Sequence, residues 1–361
     1  MPPALRSLLK RLALALGGAR AFAWLGAKCA WGGTLLNYAL MRLSLRGRLF
    51  RAEAWPHSLY IEGTNICNAA CVFCAYPDMK RAKKVMPLEL FRSAVDQYAA
   101  LGGAEVDLTP IVGDPFADAH LFERLDYALA RPGIRRVHFF TNAIAMRPEL
   151  HGRLLACGER LRVYISFGGF DRETYRRVFG VDRFEAAAGN MRALIAEKAR
   201  SGARLGIQVN LRCPSENRHG ELWEYLSGML NRGVIDMTWM SQYDSWAGQI
   251  KDSELAEAGL APRPMPVKRG PCHRLLTSPV VLVDGRVNAC ACRDVEAELI
   301  IGDLKSQPLG DVLASDALRE LVEKHDRGDF PDVCRRCTYY DSLYPDWMRG
   351  RLFPLVSRLF R

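Results

Sequence analysis

The chain has 361 residues, 49% of them hydrophobic and 25% charged, a composition typical of a folded protein with one large domain and a smaller addition. Its formal net charge is +10 at pH 7, but residues 1–51 and 349–361 contain 9 and 4 Lys or Arg and no Asp or Glu. The part between them is therefore slightly acidic, which argues against a nucleic-acid partner bound across the core.

A basic helical segment is the first predicted element. Leu5, Leu8 and Leu12 recur at helical spacing with Lys and Arg between them, so residues 1–52 are predicted to form basic amphipathic helices. Residues 346–361 repeat this character at the other end of the chain. Such helices either lie on an anionic bilayer or pack against the protein, and both interpretations fit the sequence.

The apolar residues near the N-terminus do not predict a membrane span, because the longest candidate stretch is interrupted by Arg20 and Lys28. No clear small-residue cleavage site of a signal peptide follows. The eleven cysteines are an odd number, which does not suggest a disulfide framework. We therefore expect a cytoplasmic protein, and the basic ends leave open a peripheral position on the inner face of the membrane.

Six strand patterns alternate with helical patterns over residues 53–255. The strands are predicted at Ser58–Gly63, Glu105–Thr109, Arg136–Thr141, Arg162–Phe167, Arg204–Asn210 and Ile235–Met240. Alternating strands and helices imply parallel βαβ units. We therefore predict an α/β fold with a partial (β/α)6 TIM-like barrel, whose chemistry lies at the C-terminal ends of the strands.

A smaller domain is predicted over residues 256–345, after a Pro-rich linker. It contains a strand pair at Val280–Val283 and Val287–Ala289, then a helix near Leu309–Lys324 and a final cysteine pair. These elements are too few for an independent hydrophobic core, so we expect a bound metal to stabilise the domain.

Cys67, Cys71 and Cys74 follow the first predicted strand in a C-x3-C-x2-C arrangement. Three thiolates on one loop can bind three irons of a [4Fe–4S] cluster and leave the fourth iron open. Zinc sites favour four ligands and C-x2-C pairs. The spacing therefore predicts an iron–sulfur cluster.

This motif, after the first strand of a six-unit α/β barrel and with Phe73 before the third cysteine, resembles that of the radical S-adenosylmethionine (SAM) superfamily. The resemblance covers residues 59–244. It implies that the open iron binds the amino and carboxylate groups of SAM. Reductive cleavage of SAM then gives a 5′-deoxyadenosyl radical, which removes hydrogen from an unactivated C–H bond.

The resemblance also implies SAM contacts at the ends of later strands. Gly113-Asp114 is similar to the start of the family's Gly-Glu-Pro motif, with a shorter carboxylate, and Asn142 and Ser166 stand where the family has polar contacts. We expect a SAM site formed by Phe73, Gly113, Asp114, Asn142 and Ser166, with Asn210 and Arg212 as candidates for SAM or substrate.

Four later cysteines fit one site: Cys272, Cys290, Cys334 and Cys337. From spacing alone, zinc and a [4Fe–4S] cluster suit these four thiols equally. Gly285 followed by Cys290 and a later C-x2-C pair resembles the SPASM/Twitch auxiliary domain, and no cysteine follows Cys337, as in the shorter Twitch form. This resemblance implies a second [4Fe–4S] cluster.

An enzyme of this kind is expected to oxidise or epimerise a small polyol, aminosugar or glycosyl substrate, lipid-linked substrates included. Epimerisation needs a thiol that returns hydrogen to the substrate, and Cys213 and Cys292 are the candidates. The expected partners are this small molecule and a reductant such as flavodoxin or ferredoxin.

Two alternatives stay open. Many SPASM enzymes modify ribosomal peptides, although the N-terminal segment here lacks the strand pair of their winged-helix peptide-binding module. A membrane-associated scaffold with structural zinc sites is an interpretation from a different class of protein.

Overall fold

The computed structural model describes residues 58–214, 218–240 and 242–343. The predicted basic segments at residues 1–52 and 346–361 lie outside these ranges. Among the described residues, no helix has the length and apolar character needed to cross a membrane.

Nine strands form one sheet in the order β6-β5-β4-β3-β2-β1-β7-β8-β9. Their bounds are β1 Leu59–Ile61, β2 Glu105–Asp107, β3 Arg136–Thr141, β4 Leu161–Phe167, β5 Gly206–Leu211, β6 Asp236–Trp239, β7 Val280–Val281, β8 Arg286–Asn288 and β9 Ile300–Asp303. The first six strands are parallel neighbours in chain order. This arrangement confirms the predicted α/β class and partial barrel.

Helices connect the parallel strands and complete the C-terminal part. Their bounds are α1 Leu88–Ala100, α2 Leu121–Ala130, α3 His151–Ala156, α4 Arg172–Phe179, α5 Phe184–Ser201, α6 Glu221–Asn231, α7 Asp252–Glu257, α8 His273–Thr277, α9 Leu309–Leu313, α10 Asp316–Arg327 and α11 Asp332–Arg336. Alternate residues of β4 are fully buried, which is the period expected of a strand with one face in the core.

The C-terminal strands extend the same sheet. β7 pairs in parallel with β1, where Tyr60 lies opposite Val280, and β8 and β9 continue antiparallel from it. The sequence did not indicate this pairing, because it joins residues about 220 positions apart in the chain. The two parts of the protein therefore share one sheet and one hydrophobic core.

The helix predicted near Leu309–Lys324 is two helices in the structure. α9 ends at Leu313, and Ser315 caps α10 by accepting a hydrogen bond from the backbone N–H of Leu318 at 3.3 Å. A serine at this position favours a helix start over a continuous helix. The prediction of a single helix was therefore wrong at this point.

A buried ion pair connects α2 to the end of β1. Arg124 Nε donates to Asp118 Oδ2 at 2.6 Å, with side-chain exposures of 1% and 3%. Arg124 Nη2 donates to the carbonyl oxygen of Met86 at 2.5 Å, and its side chain packs against Gly63. The pair thus fixes the backbone where the chain enters the cysteine loop.

We expect Asp118→Asn to lower the free energy of unfolding by about 3–5 kcal/mol, because the Arg124 charge would stay buried without its partner. Asp126→Asn is the matched control, since Asp126 pairs with Arg153 on the surface, where the exposures are 67% and 53%. Its cost should stay below about 1 kcal/mol. Equal effects in urea unfolding would contradict a role for the buried pair.

Candidate active site

The loop after β1 carries Cys67, Cys71 and Cys74, whose side chains interact electrostatically with one another. Burial raises the pKa of Cys67 to about 12 and that of Cys74 to about 11, and raises the pKa of Cys71 as well. The thiols of the metal-free protein are therefore protonated at neutral pH, and a bound metal would have to displace these protons.

Backbone hydrogen bonds join this loop to the C-terminal end of α4. Ala70 N donates to Phe179 O at 3.1 Å, and Val72 N donates to Val178 O at 3.0 Å. Gly180, which ends α4 with a φ of 69°, packs so closely that a Cβ atom there would lie 2.1 Å from the Ala70 carbonyl oxygen. The path of the cysteine loop is thus set by α4.

Trp246 holds the same loop from its other side. Its indole Nε1 donates to the Phe73 carbonyl oxygen at 2.7 Å. The Phe73 ring lies 5.6 Å from the Phe179 ring and 5.5 Å from the Tyr243 ring. Trp246 has a φ of 46°, a strained conformation for a residue other than glycine. The Phe73 side chain therefore packs between α4 and the segment that contains Tyr243.

Asp114 joins the loops that follow β2 and β3. Its carboxylate accepts hydrogen bonds from Phe116 N at 2.9 Å, Thr141 Oγ1 at 2.9 Å and Asn142 N at 2.8 Å. Burial raises its pKa, and these three donors oppose the rise. Gly113, with a φ of 136°, is in contact with the backbone of the cysteine loop. Asp114 thus holds other residues of the predicted SAM site in place.

Asn142 contacts the cysteine loop directly. Its Nδ2 donates to Asn68 Oδ1 at 2.7 Å and points to Cys67 Sγ at 3.8 Å. N–H groups directed at sulfur are one of the features that tune iron–sulfur sites. Ser166 lies opposite Asn210 in the register of β4 and β5, so both stand at the same sheet edge as Asn142.

The glycines after β4 are close-packing residues. A Cβ atom on Gly168 would lie 2.4 Å from the Phe179 ring, and one on Gly169 would lie 2.7 Å from Thr174. The space beside them is filled by α4. These two glycines therefore allow α4 to pack closely against the segment that follows β4.

Four of the buried polar atoms that have no hydrogen-bond partner among the described residues lie near the cysteine loop and these strand ends. They are Tyr175 Oη, Asn210 Nδ2, Arg212 Nε and Tyr243 Oη. Tyr175 and Arg212 both interact electrostatically with Cys71. Because buried polar groups are normally paired, these atoms indicate a place for a polar ligand beside the cysteine loop.

The other four predicted cysteine ligands line one cavity. Its lining comprises Cys272, Arg274, Leu275, Cys290, Cys292, Arg293, His325, Cys334, Cys337, Tyr339 and Tyr340. Burial raises the pKa of Cys272 to about 11 and also raises that of Cys334. The structure thus brings together the four cysteines that the spacing had grouped.

Cys292 is a fifth thiol in this cavity. The Cys290 thiol donates a hydrogen bond to its sulfur, and Arg274 Nη1 donates to the same sulfur at 3.4 Å. The hydrogen bond from Cys290 and the nearby Arg274 and Arg293 lower the pKa of Cys292 below that of an ordinary thiol. Cys213, in contrast, is 1% exposed and lies in the hydrophobic core.

The donor sets of both groups fit iron–sulfur clusters in their chemistry. In the described ranges, no group of three or more His, Cys, Asp or Glu side chains is arranged to hold a metal ion, so this fit rests on which side chains are present. The side chains that meet in each group are thiols, which prefer soft metals and iron–sulfur clusters. The unpaired polar atoms beside the first group fit a polar ligand, either SAM or the substrate.

A second buried pair links the segment after the first cysteine loop to the segment after Cys292. Arg81 forms a bidentate pair with Glu62 at 2.8 Å, and its Nε donates to Val295 O at 2.6 Å. Lys80 N donates to Glu296 Oε1 at 2.9 Å. The two cysteine groups therefore belong to one rigidly packed region.

We expect Gly180→Ala to displace the cysteine loop, because its Cβ would collide with the Ala70 carbonyl oxygen. Gly202→Ala is a matched control: Gly202 also ends a helix with a φ of 69°, but its Cβ would meet nothing within 4 Å. Gly202→Ala should cost about 1–2 kcal/mol of stability and leave iron binding intact.

Gly180→Ala should lower both stability and the iron bound per chain after anaerobic reconstitution. Equal iron contents in the two variants would show that α4 does not control the loop.

Two family models match the chain. Residues 61–207 match the radical SAM superfamily, and residues 272–338 match an iron–sulfur cluster-binding domain named SPASM. No curated protein matches the chain.

Solved structures of low sequence identity share the fold. BtrN in complex with AdoMet and 2-DOIA has a TM-score of 0.53 and 15% identity, with coverage of 80% of this chain and 95% of that chain. Streptococcus suis SuiB bound to precursor peptide SuiA has a TM-score of 0.56 and 15% identity, with coverage of 74% and 66%. Histidine-tagged anSMEcpe with bound AdoMet has a TM-score of 0.51 and 13% identity, with coverage of 83% and 98%.

The first matched model covers the first cysteine loop, and the second covers the later cysteines that line the cavity. The chain belongs to the radical SAM superfamily and carries a C-terminal SPASM-type iron–sulfur domain.

Proposed function

We propose that the protein oxidises or epimerises a small polyol, aminosugar or glycosyl substrate, lipid-linked ones included. As a radical SAM enzyme it uses SAM, a SAM-bound [4Fe–4S] cluster and an auxiliary iron–sulfur cluster. When bound and reduced, SAM and its cluster supply a 5′-deoxyadenosyl radical that removes a hydrogen atom from the substrate.

In this proposal Cys67, Cys71 and Cys74 hold the SAM-bound cluster. Phe73, Gly113, Asp114, Asn142 and Ser166 form the SAM site. Asp114 acts mainly by holding Asn142, because its carboxylate is already engaged by three donors of the chain. Asn142 in turn orients an amide N–H toward Cys67.

The auxiliary cluster is assigned to the cavity, with Cys272, Cys290, Cys334 and Cys337 as ligands. Lys268 supports this site, because its ammonium group donates to the carbonyl oxygens of Cys334 and Arg335. Its positive charge would partly offset the negative charge of four thiolates. Cys292 remains in the cavity without a ligand role.

The unpaired buried polar atoms at the strand ends are the observation that favours a polar substrate. Tyr243 Oη, Asn210 Nδ2 and Arg212 Nε offer hydrogen bonds to a ligand that itself has several polar groups. A hydroxylated small molecule satisfies such atoms, whereas an apolar one would leave them unpaired. BtrN, solved with AdoMet and 2-DOIA and covered over 95% of its length, is in keeping with this choice.

A peptide is the second candidate substrate. SuiB, whose fold this chain shares, was solved with its precursor peptide SuiA. The single cysteine group after residue 271 instead favours the one-cluster Twitch form of the auxiliary domain, which the resemblance associates with small-molecule substrates rather than peptides. The alternative of a zinc-stapled scaffold has no support, since both matched models describe iron–sulfur or radical SAM proteins.

The proposed reductant is a flavodoxin or ferredoxin, because cleavage of SAM consumes one electron. The proposed location is the cytoplasm, and the basic segments at residues 1–52 and 346–361 would provide peripheral contact with the inner membrane face.

Anaerobic incubation with SAM and dithionite should give 5′-deoxyadenosine, measured by chromatography and mass spectrometry. Cys71→Ser should reduce this product to background, because one of three cluster ligands is lost. Cys157→Ala is the matched control, since Cys157 lies at the end of α3, where its thiol donates to the Arg153 carbonyl oxygen. Nucleoside formation by Cys71→Ser at the wild-type rate would overturn the ligand assignment.

Substrates should be sought among polyols, aminosugars, glycosyl phosphates and peptides, and the reaction then run in D2O. Epimerisation should place one solvent-derived deuterium in the product, since a thiol hydrogen exchanges with solvent, whereas oxidation should place none. If deuterium enters, Cys292→Ala should stop product formation while SAM consumption continues, because Cys292 lines the cavity. A block by Cys213→Ala alone would contradict this assignment, as Cys213 is core-buried.

A further inference from the structure

Three arginines lie around the ring of Tyr339, and a fourth is near enough to interact with it electrostatically. The guanidinium carbons of Arg263, Arg274 and Arg293 lie 5.3, 4.3 and 4.2 Å from the ring centre. Arg212 interacts electrostatically with the same tyrosine. These four side chains are called the arginine cluster below.

The arginine cluster carries more positive charge than the neighbouring carboxylates can balance. In the described part of the chain, only Asp244 forms an ion pair with any of the four, through Arg293 at 2.5 Å. Arg274 also donates to the Cys292 sulfur, which adds one negative charge as a thiolate. The cluster therefore has a net charge of at least +2 (four guanidinium groups, one carboxylate and one thiolate). Like charges at such distances repel one another unless an anion lies among them.

Two of the guanidinium groups also have buried N–H donors that are unused. Arg212 Nε and Arg274 Nε have no hydrogen-bond partner in the described ranges. Arg293 is different, because its Nε donates to Asp244 and its Nη1 donates to the Cys292 carbonyl oxygen at 2.6 Å. Charge and open donors thus occur on the same side chains, Arg212 and Arg274.

The arginine cluster is close to both cysteine groups, which makes it a place for a substrate rather than part of one group alone. Arg212 interacts with Cys71 of the first group, and Arg274 interacts with Cys272 of the second. Arg263 reaches Tyr339 from the Pro-rich linker. An anion bound here would therefore lie between the two cysteine groups.

We propose that the arginine cluster binds a phosphate group carried by the substrate. Guanidinium groups bind phosphate through paired N–H donors, and a net charge of at least +2 suits a dianion better than a single carboxylate. This inference rests on the proposed function and narrows its glycosyl substrates to phosphorylated ones. The phosphate is either part of a soluble sugar phosphate or of a lipid-linked diphosphate.

The test measures binding of inorganic phosphate to the anaerobically reconstituted holoenzyme by isothermal titration calorimetry, with acetate and glucose as comparison ligands. We expect phosphate to bind more tightly than either. Arg263→Gln and Arg274→Gln should each weaken phosphate binding about tenfold or more, because each removes a charged hydrogen-bond donor. Arg200→Gln, an exposed arginine at the end of α5, is the control and should bind phosphate as the wild type does.

Three results would overturn the inference. The wild type could bind phosphate no better than acetate, or Arg200→Gln could weaken binding as much as Arg263→Gln. The third is that Arg263→Gln and Arg274→Gln both keep wild-type phosphate affinity but lose iron and sulfide. This would show that the arginines only balance the charge of the iron–sulfur clusters.

The same samples separate this inference from the proposed function. Absence of 5′-deoxyadenosine from the wild type would contradict the proposed function and leave the phosphate result unaffected. Glucose 1-phosphate and geranyl diphosphate then distinguish the two sources of phosphate: tighter binding of the first indicates a soluble sugar phosphate, and tighter binding of the second indicates a lipid-linked substrate.

Discussion

The clamp on the three-cysteine loop is the constraint on which the rest of the site depends. Two backbone hydrogen bonds from the end of α4 hold one side of the loop, and the Trp246 indole holds the other. Three thiols can act together only if the backbone that carries them has one fixed path. Gly180 allows this path, because any side chain at that position would occupy the space of the Ala70 carbonyl group.

The shared sheet explains why two cysteine groups far apart in sequence lie near each other in the fold. β1 leads into the first cysteine loop and pairs with β7, which opens the strand pair that carries Cys290. Arg81 and Glu62 reinforce this junction through a buried bidentate pair. The distance between the groups is therefore set by strand spacing and buried contacts rather than by a flexible linker.

Much of the fold could be predicted because its signals are local. Alternating strand and helix patterns located all six barrel strands, and Arg136–Thr141 has the same bounds in sequence and structure. Cysteine spacing likewise grouped the thiols that the structure brings to one cavity. Motifs of this kind are readable because the chemistry requires several residues of one type at short separations.

The remainder of the site had no such signal. Arg212 was a candidate by its place after a predicted strand, but Arg274 and Tyr339 are single residues of common types, and only the folded chain brings the three together. The pairing of β1 with β7 depends on residues about 220 positions apart, and β9 followed no turn pattern strong enough to mark it as a strand. Proximity to the cysteines was the one hint for Arg274, Arg293 and Tyr339, each within two residues of a thiol.

The pairing of β1 with β7 also bears on how the protein matures. β1 gains its second neighbour, and Arg81 its Val295 partner, only after nearly 300 residues have left the ribosome. The nascent N-terminal half thus emerges with its metal-binding loop unsupported on one flank. The sheet that supports this loop is therefore completed only when the C-terminal strands have been synthesised.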